Sequence, residues 1–159
     1  MSIALIPGSF DPVTNGHLDI VERTAKKFDH VLVAVATNSR KAAPLFTVEE
    51  RLVMLEDVLR PLPNVRAQPL RGLLADFALE HDVTAIVKGL RAVSDFDYEL
   101  QMAQLNLHLS GVDTLFMPTA PEHSFLSATL VREVASYGGD VSSMVPPVVA
   151  QRLKERFAR

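Results

Sequence analysis

The sequence predicts an α/β fold in which an open parallel sheet carries helices on both faces. Short apolar runs alternate with stretches of helical periodicity from one end of the chain to the other. One of those runs, "HVLVAVAT" at residues 30–37, is continuous and rich in valine, the mark of a strand covered on both sides. No repeat, low-complexity tract or linker interrupts the 159 residues, and the expectation is one Rossmann-like domain over residues 1–159.

The elements follow in order. Residues 3–6 form a short apolar run, and from Leu18 the spacing Leu18, Val21, Ala25, Phe28 marks one face of a helix. After the valine-rich strand, Thr47-Val48-Glu49-Glu50 reads as a capping box. The helix it opens carries Val48, Leu52, Leu55 and Leu59 on one stripe. "NVRAQP" fits a short strand, the segment around Leu74, Phe77 and Ala78 an amphipathic helix, and "VTAIVKG" another buried strand. A long helix spans about residues 95–109 and "TLFMP" follows as the last strand. Ser127 is suited to cap a helix that runs to Gly138-Gly139, and a final helix starts at Pro146-Pro147 with Val149, Leu153 and Phe157 inward.

The long helix has two apolar stripes. Leu100, Ala103 and Leu107 fall on one side, and Met102, Leu105 and Leu109 nearly opposite. Two readings stand: one stripe meets the sheet and the other a second subunit, or the helix is sandwiched inside its own domain.

Composition narrows the chemistry. The absence of cysteine removes disulfides, thiolate nucleophiles and Cys-based metal sites, and it fits a reducing compartment. "MSIALIPG" has no basic leader, and no segment approaches about 20 apolar residues, the length needed to span a bilayer. A net charge of −3 argues against general binding of nucleic acid or membrane surfaces. The expected setting is cytoplasmic.

In an open parallel sheet, ligands bind beyond the carboxyl ends of the strands. Four segments stand there: "PGSFDPVTNGH", "TNSRKAAP", "KGLRAVSDFDYE" and "PTAPEHSFLSAT". Lys41, Lys88 and Arg91 are thereby expected to converge with His17, a cationic rim suited to phosphate on an acidic protein. The chain has no G-x-x-x-x-G-K-[ST] and no G-x-G-x-x-G after its first strand. Gly8 would let backbone approach an anion, and Gly16 would leave room at the helix start. His17 falls in the first helical turn, where free N–H groups and the helix dipole favour negative charge. By itself a histidine at a helix start is more often just solvated. His30, His81 and His108 have no partner spacing and read as structural or solvated.

"GSFDPVTNGH" resembles the signature of the nucleotidylyltransferase superfamily, with Thr14-Asn15-Gly16-His17 on its (H/T)-x-G-H motif. "FTVEER", "VKGLRAVSDFDYELQMAQLN" and "SFLSATLVREVA" extend the resemblance, at matching spacing over nearly the whole chain, to bacterial phosphopantetheine adenylyltransferases. That family transfers the adenylyl group of ATP to 4′-phosphopantetheine, giving dephospho-coenzyme A and pyrophosphate. The resemblance implies that His17 stabilises the transition state at the α-phosphate. It implies ATP contacts at Ser9, Phe10, His17, Gly89, Leu90, Arg91, Glu99, His123, Ser124, Phe125, Leu126, Ser127, Ala128 and Thr129. Ser9, Lys41, Leu74 and Lys88 would face phosphopantetheine.

The resemblance further implies a homohexamer and feedback binding of coenzyme A. Mg²⁺ is expected to arrive on the ATP phosphates, with no protein cage of its own. Asp11 reads either as a distant, water-mediated contact to that ion or as a stiffener of the loop before Pro12. Two departures stand out: Lys88 where Arg is frequent, and Ser127-Ala128-Thr129 where Ser-Ser-Ser is common. The rival readings are a sibling cytidylyltransferase or nicotinamide-mononucleotide adenylyltransferase, and a non-catalytic ATP-holding module.

Overall fold

The computed structural model describes residues 1–37 and 43–158. Its sheet has five parallel strands, β1 (Ile3–Gly8), β2 (His30–Ala36), β3 (Val65–Leu70), β4 (Ala85–Leu90) and β5 (Asp113–Pro118), in the order β3-β2-β1-β4-β5. β1 at the centre pairs Ile3 with His30 on one side and Ala4 with Ala85 on the other. The helices are α1 (Asn15–Ala25), α2 (Val48–Leu59), α3 (Leu74–Glu80), α4 (Val93–Ser110), α5 (Ala128–Ser136) and α6 (Pro147–Arg156).

The two-residue alternation of each central strand feeds two cores. Ala4, Ile6, Val31, Val33, Val35 and Val87 point into the larger one, where they meet Ile20 and Val21 of α1 and Met54 and Leu55 of α2. Val131 of α5 and Val149 and Leu153 of α6 complete that layer. Leu5, Ala34 and Ile86 point the other way, onto Phe77 and Ala78 of α3. Both faces are therefore helix-covered, and the continuous apolar runs follow from it.

The smaller side is finished by α4, which packs on α3 and β5 with Phe96 edge-on to Phe116 at 5.7 Å. Its inward line runs through the buried Asn106, with Ala103, half-buried, the one member of its stripe that turns towards the domain. Leu100, Leu105, Leu107 and Leu109 all remain exposed. Neither reading holds as stated: within one chain the helix is not sandwiched, and no leucine stripe is laid flat on the sheet, since both stay partly open.

Element limits moved slightly. α4 opens at Val93 rather than near residue 95, and α5 stops at Ser136, with Gly138 at φ 76° making the left-handed exit.

Candidate active site

Strand order reverses between β1 and β4: the chain first builds outward through β2 and β3, then crosses back to place β4 and β5. Beyond the carboxyl ends at that switch point the sheet has a crevice. A cleft of about 1200 Å³ fills it, walled by the β1–α1 loop, the end of β4, α4 and the start of α5.

His17 stands at the third position of α1. Thr14 is the N-cap: its Oγ1 accepts the His17 N–H at 3.3 Å, and the Thr14 N–H donates back to His17 Nδ1 at 3.0 Å. This is a reciprocal capping box with imidazole in the place of the usual Glu or Gln. Because Nδ1 accepts a backbone N–H, the proton of the neutral ring belongs on Nε2. Burial, then the charges of Arg91 and Lys88, push the His17 pKa down to about 4. At neutral pH the ring is uncharged, with a single directed donor.

Phe10 holds that ring from the side, edge-on at 5.1 Å between centroids. Its backbone takes φ 49°, a conformation that costs a phenylalanine of order 1 kcal/mol or more. The turn folds its side chain over Gly8, where an added Cβ would stand 3.0 Å from the ring. Gly8 thus makes room for Phe10 as well as lining the cleft. At Gly16 a Cβ would meet only ordinary contacts of 3.5–3.8 Å, so the expected need for space there is weak. Gly89 does need its missing side chain: a Cβ would lie 3.0 Å from Cγ1 of Ile20, where β4 and α1 touch.

The cations of the rim are anchored to the protein. Lys88 Nζ pairs with Glu99 at 3.4 Å. Arg91 reaches across to the opposite wall and donates from Nη1 to the Leu126 carbonyl at 2.6 Å. Asp11 accepts the N–H groups of Leu45 and Phe46, both at 2.9 Å, and lies 3.8 Å from Arg132. Each of its oxygens takes one backbone N–H, so Asp11 braces the loop, as one of its two readings expects, while it also lines the cleft. Among the described residues no cluster of three His, Asp or Glu side chains could cage a metal ion.

Of the residues singled out in the sequence, Ser9, Phe10, His17, Lys88, Gly89, Arg91, Glu99, His123, Leu126, Ser127, Ala128 and Thr129 line one cleft. Four do not. Leu74 packs against the smaller core, and the Leu90 carbonyl accepts from Thr119. Ser124 and Phe125 are exposed outside the cleft wall. Lys41 lies outside the described residues. Ser127 does cap α5, accepting the Leu130 N–H at 3.1 Å. His81 is structural, with its ring stacked on Phe77 at 3.9 Å.

Two arginines of the cleft wall went unread in the sequence. Arg132 donates to the Asp11 carbonyl at 2.6 Å and reaches Thr129. Its signal was its place one helical turn after Ala128 in "SATLVR". Arg51, in the first turns of α2, was hidden behind a stretch that capping explained well.

This assembly suits holding and aligning phosphates. His17 has one nitrogen committed to Thr14 and a proton on the other, so it is a donor and not a general base. A displacement at phosphorus by a nucleophile that is already anionic needs alignment and charge stabilisation, which the cleft supplies.

Comparison with known proteins agrees. The cytidylyltransferase-like family model matches residues 5–134. A protein of Thermobifida fusca named phosphopantetheine adenylyltransferase is 54% identical over 158 residues, 99% of this chain and 96% of its own length. Proteins of the same name from Streptomyces coelicolor and Frankia casuarinae are 56% and 55% identical, covering 99% and 100% of this chain and 98% and 100% of their own. A crystal structure from Vibrio parahaemolyticus, assigned as a nicotinate-nucleotide adenylyltransferase, superposes with a TM-score of 0.69 at 18% identity over 97% of this chain and 99% of its own. That likeness bears on the fold alone. With full-length relatives at this identity, the chain belongs to the phosphopantetheine adenylyltransferase family of cytidylyltransferase-like proteins.

Proposed function

We propose that the protein transfers the adenylyl group of ATP to the phosphate of 4′-phosphopantetheine, forming dephospho-coenzyme A and pyrophosphate in coenzyme A biosynthesis. An oxygen of the acceptor phosphate attacks the α-phosphorus, the bond from that phosphorus to the α–β bridging oxygen breaks, and the electron pair leaves with pyrophosphate. The observation that carries this reading is His17: a neutral imidazole with its tautomer set by Thr14, at the head of a helix beside Lys88 and Arg91.

The roles proposed combine the cleft's geometry with the family resemblance, on which alone Lys41 rests. His17 Nε2–H donates to an α-phosphoryl oxygen as its charge grows. Arg91 and the start of α5 flank the triphosphate, with Ser9, Lys41 and Lys88 on the acceptor side. Glu99 keeps Lys88 oriented through their ion pair. A divalent ion, Mg²⁺ in this proposal, enters as part of the ATP substrate and is held by phosphates and water. The uncovered leucines of α4 support self-association, a hexamer by family resemblance. Coenzyme A, which contains the product, is the proposed feedback ligand. The proposed setting is the cytoplasm; no described helix is long and apolar enough to cross a membrane.

Incubation with ATP, Mg²⁺ and 4′-phosphopantetheine, followed by a coupled pyrophosphate assay, tests the reading. Release that depends on the acceptor is expected. Pyrophosphate at background level contradicts the enzyme assignment, and equal release with nicotinamide mononucleotide contradicts the choice of acceptor.

A further inference from the structure

Arg51 is 4% exposed, and among the described residues it touches no carboxylate. Of the acids nearby, Asp11 is engaged by two backbone N–H groups and Arg132, Glu50 by Thr47 N–H and Arg156, and Glu49 is exposed. Arg51 instead donates to carbonyls. Nη1 bonds Ser9 O at 2.7 Å and Ala36 O at 3.2 Å, and Nε bonds Thr47 O at 3.3 Å. Nη2 makes no hydrogen bond among the described residues, and the side chain forms part of the cleft wall beside Ser9, Ala36 and Thr37.

Two electrostatic penalties fall on this residue. A buried cation without a paired anion is costly, and a positive charge near the start of a helix opposes the helix dipole. Three carbonyls offset part of that cost. They do not neutralise the charge. The missing countercharge fits an anion in the cleft, and the carbonyls Arg51 grips place it by the ends of β1 and β2.

We infer that Arg51 is a positioning residue for the phosphorylated acceptor: it clamps the Ser9 backbone to the end of β2, and the acceptor phosphate completes its charge. This rests on the proposed adenylyl transfer. The clamp fixes where Ser9 presents its hydroxyl, and the buried charge draws the acceptor anion more than the nucleotide. Lysine in this position would keep the charge and lose the fork that holds Ser9 and Ala36 together.

Steady-state kinetics of Arg51→Met and Arg51→Lys test it, with each substrate varied in turn. For Arg51→Met, the acceptor KM is expected to rise roughly 10- to 100-fold, the loss typical of a charge-assisted contact, with the ATP KM within about twofold. Arg51→Lys should recover part of that rise. In the wild-type protein, the Arg51 guanidinium ¹⁵N signals should shift on saturation with 4′-phosphopantetheine and stay in place with a non-hydrolysable ATP analogue. This keeps the test open should Arg51→Met fail to fold. Equal changes in both KM values, no recovery by lysine, or signals that ignore the acceptor would overturn the inference. A wild-type protein that releases no pyrophosphate would instead refute the reaction itself, and the inference with it.

Discussion

His17 concentrates the chemistry of the cleft in one ring nitrogen. Its Nδ1 is occupied by a backbone donor, and its pKa lies near 4, well below the ordinary 6.5. Removing the ring in His17→Ala should lower kcat by about 10²-fold or more with little change in either KM, because the donor acts on charge that grows only in the transition state. Turnover at the wild-type level would remove His17 from the reaction. The lowered pKa also has a stability consequence. Between about pH 6.5 and 4 the unfolded chain binds a proton at this position that the folded one does not. Stability therefore falls as pH drops through that window, and it changes no further from this group below 4. Denaturant midpoints measured from pH 7 to 4 should decline more steeply in the wild type than in His17→Ala. Parallel curves would contradict the assignment.

Elements position these residues, and two of their junctions make separate predictions. Thr14→Ala removes the Oγ1 acceptor of α1 but leaves the backbone N–H that sets the His17 tautomer. Helix-cap losses run at about 1 kcal/mol. A lower Tm is thus expected, with a far smaller fall in kcat than His17→Ala produces. A kcat loss matching that of His17→Ala would place the tautomer control in the Thr14 side chain instead. At the contact of β4 with α1, Gly89→Ala pushes a methyl to 3.0 Å from a buried isoleucine. Overpacking of this kind costs roughly 1–3 kcal/mol, and thermal denaturation should register it as a lower Tm. An unchanged Tm would mean that Ile20 yields freely.

At the scale of the whole molecule, the parallel sheet was legible because valine-rich strands and amphipathic helices alternate without interruption. Most of the cleft was legible too, since strand ends are where such a sheet gathers its ligands. Other features depend on three-dimensional pairing. The Thr14–His17 capping box was hidden by a histidine where Glu or Gln is usual, and Arg51 by a capping stretch that explained its neighbours. Leu74, Leu90, Ser124 and Phe125 came from resemblance alone, and the structure sets them outside the cleft wall. The two stripes of α4 were visible, but only the packed chain reveals that both stay partly open. Leu105→Glu combined with Leu109→Glu should therefore lower the mass found by light scattering relative to the wild type. A wild type that is monomeric, or a variant of unchanged mass, would contradict association through this face.

The account turns on an uncharged imidazole aimed into the cleft, and NMR titration of His17 in the free protein reaches it most directly. A pKa near 4 with the proton of the neutral ring on Nε2 is the predicted result. A pKa at or above 6.5, or a neutral ring protonated on Nδ1, would contradict it.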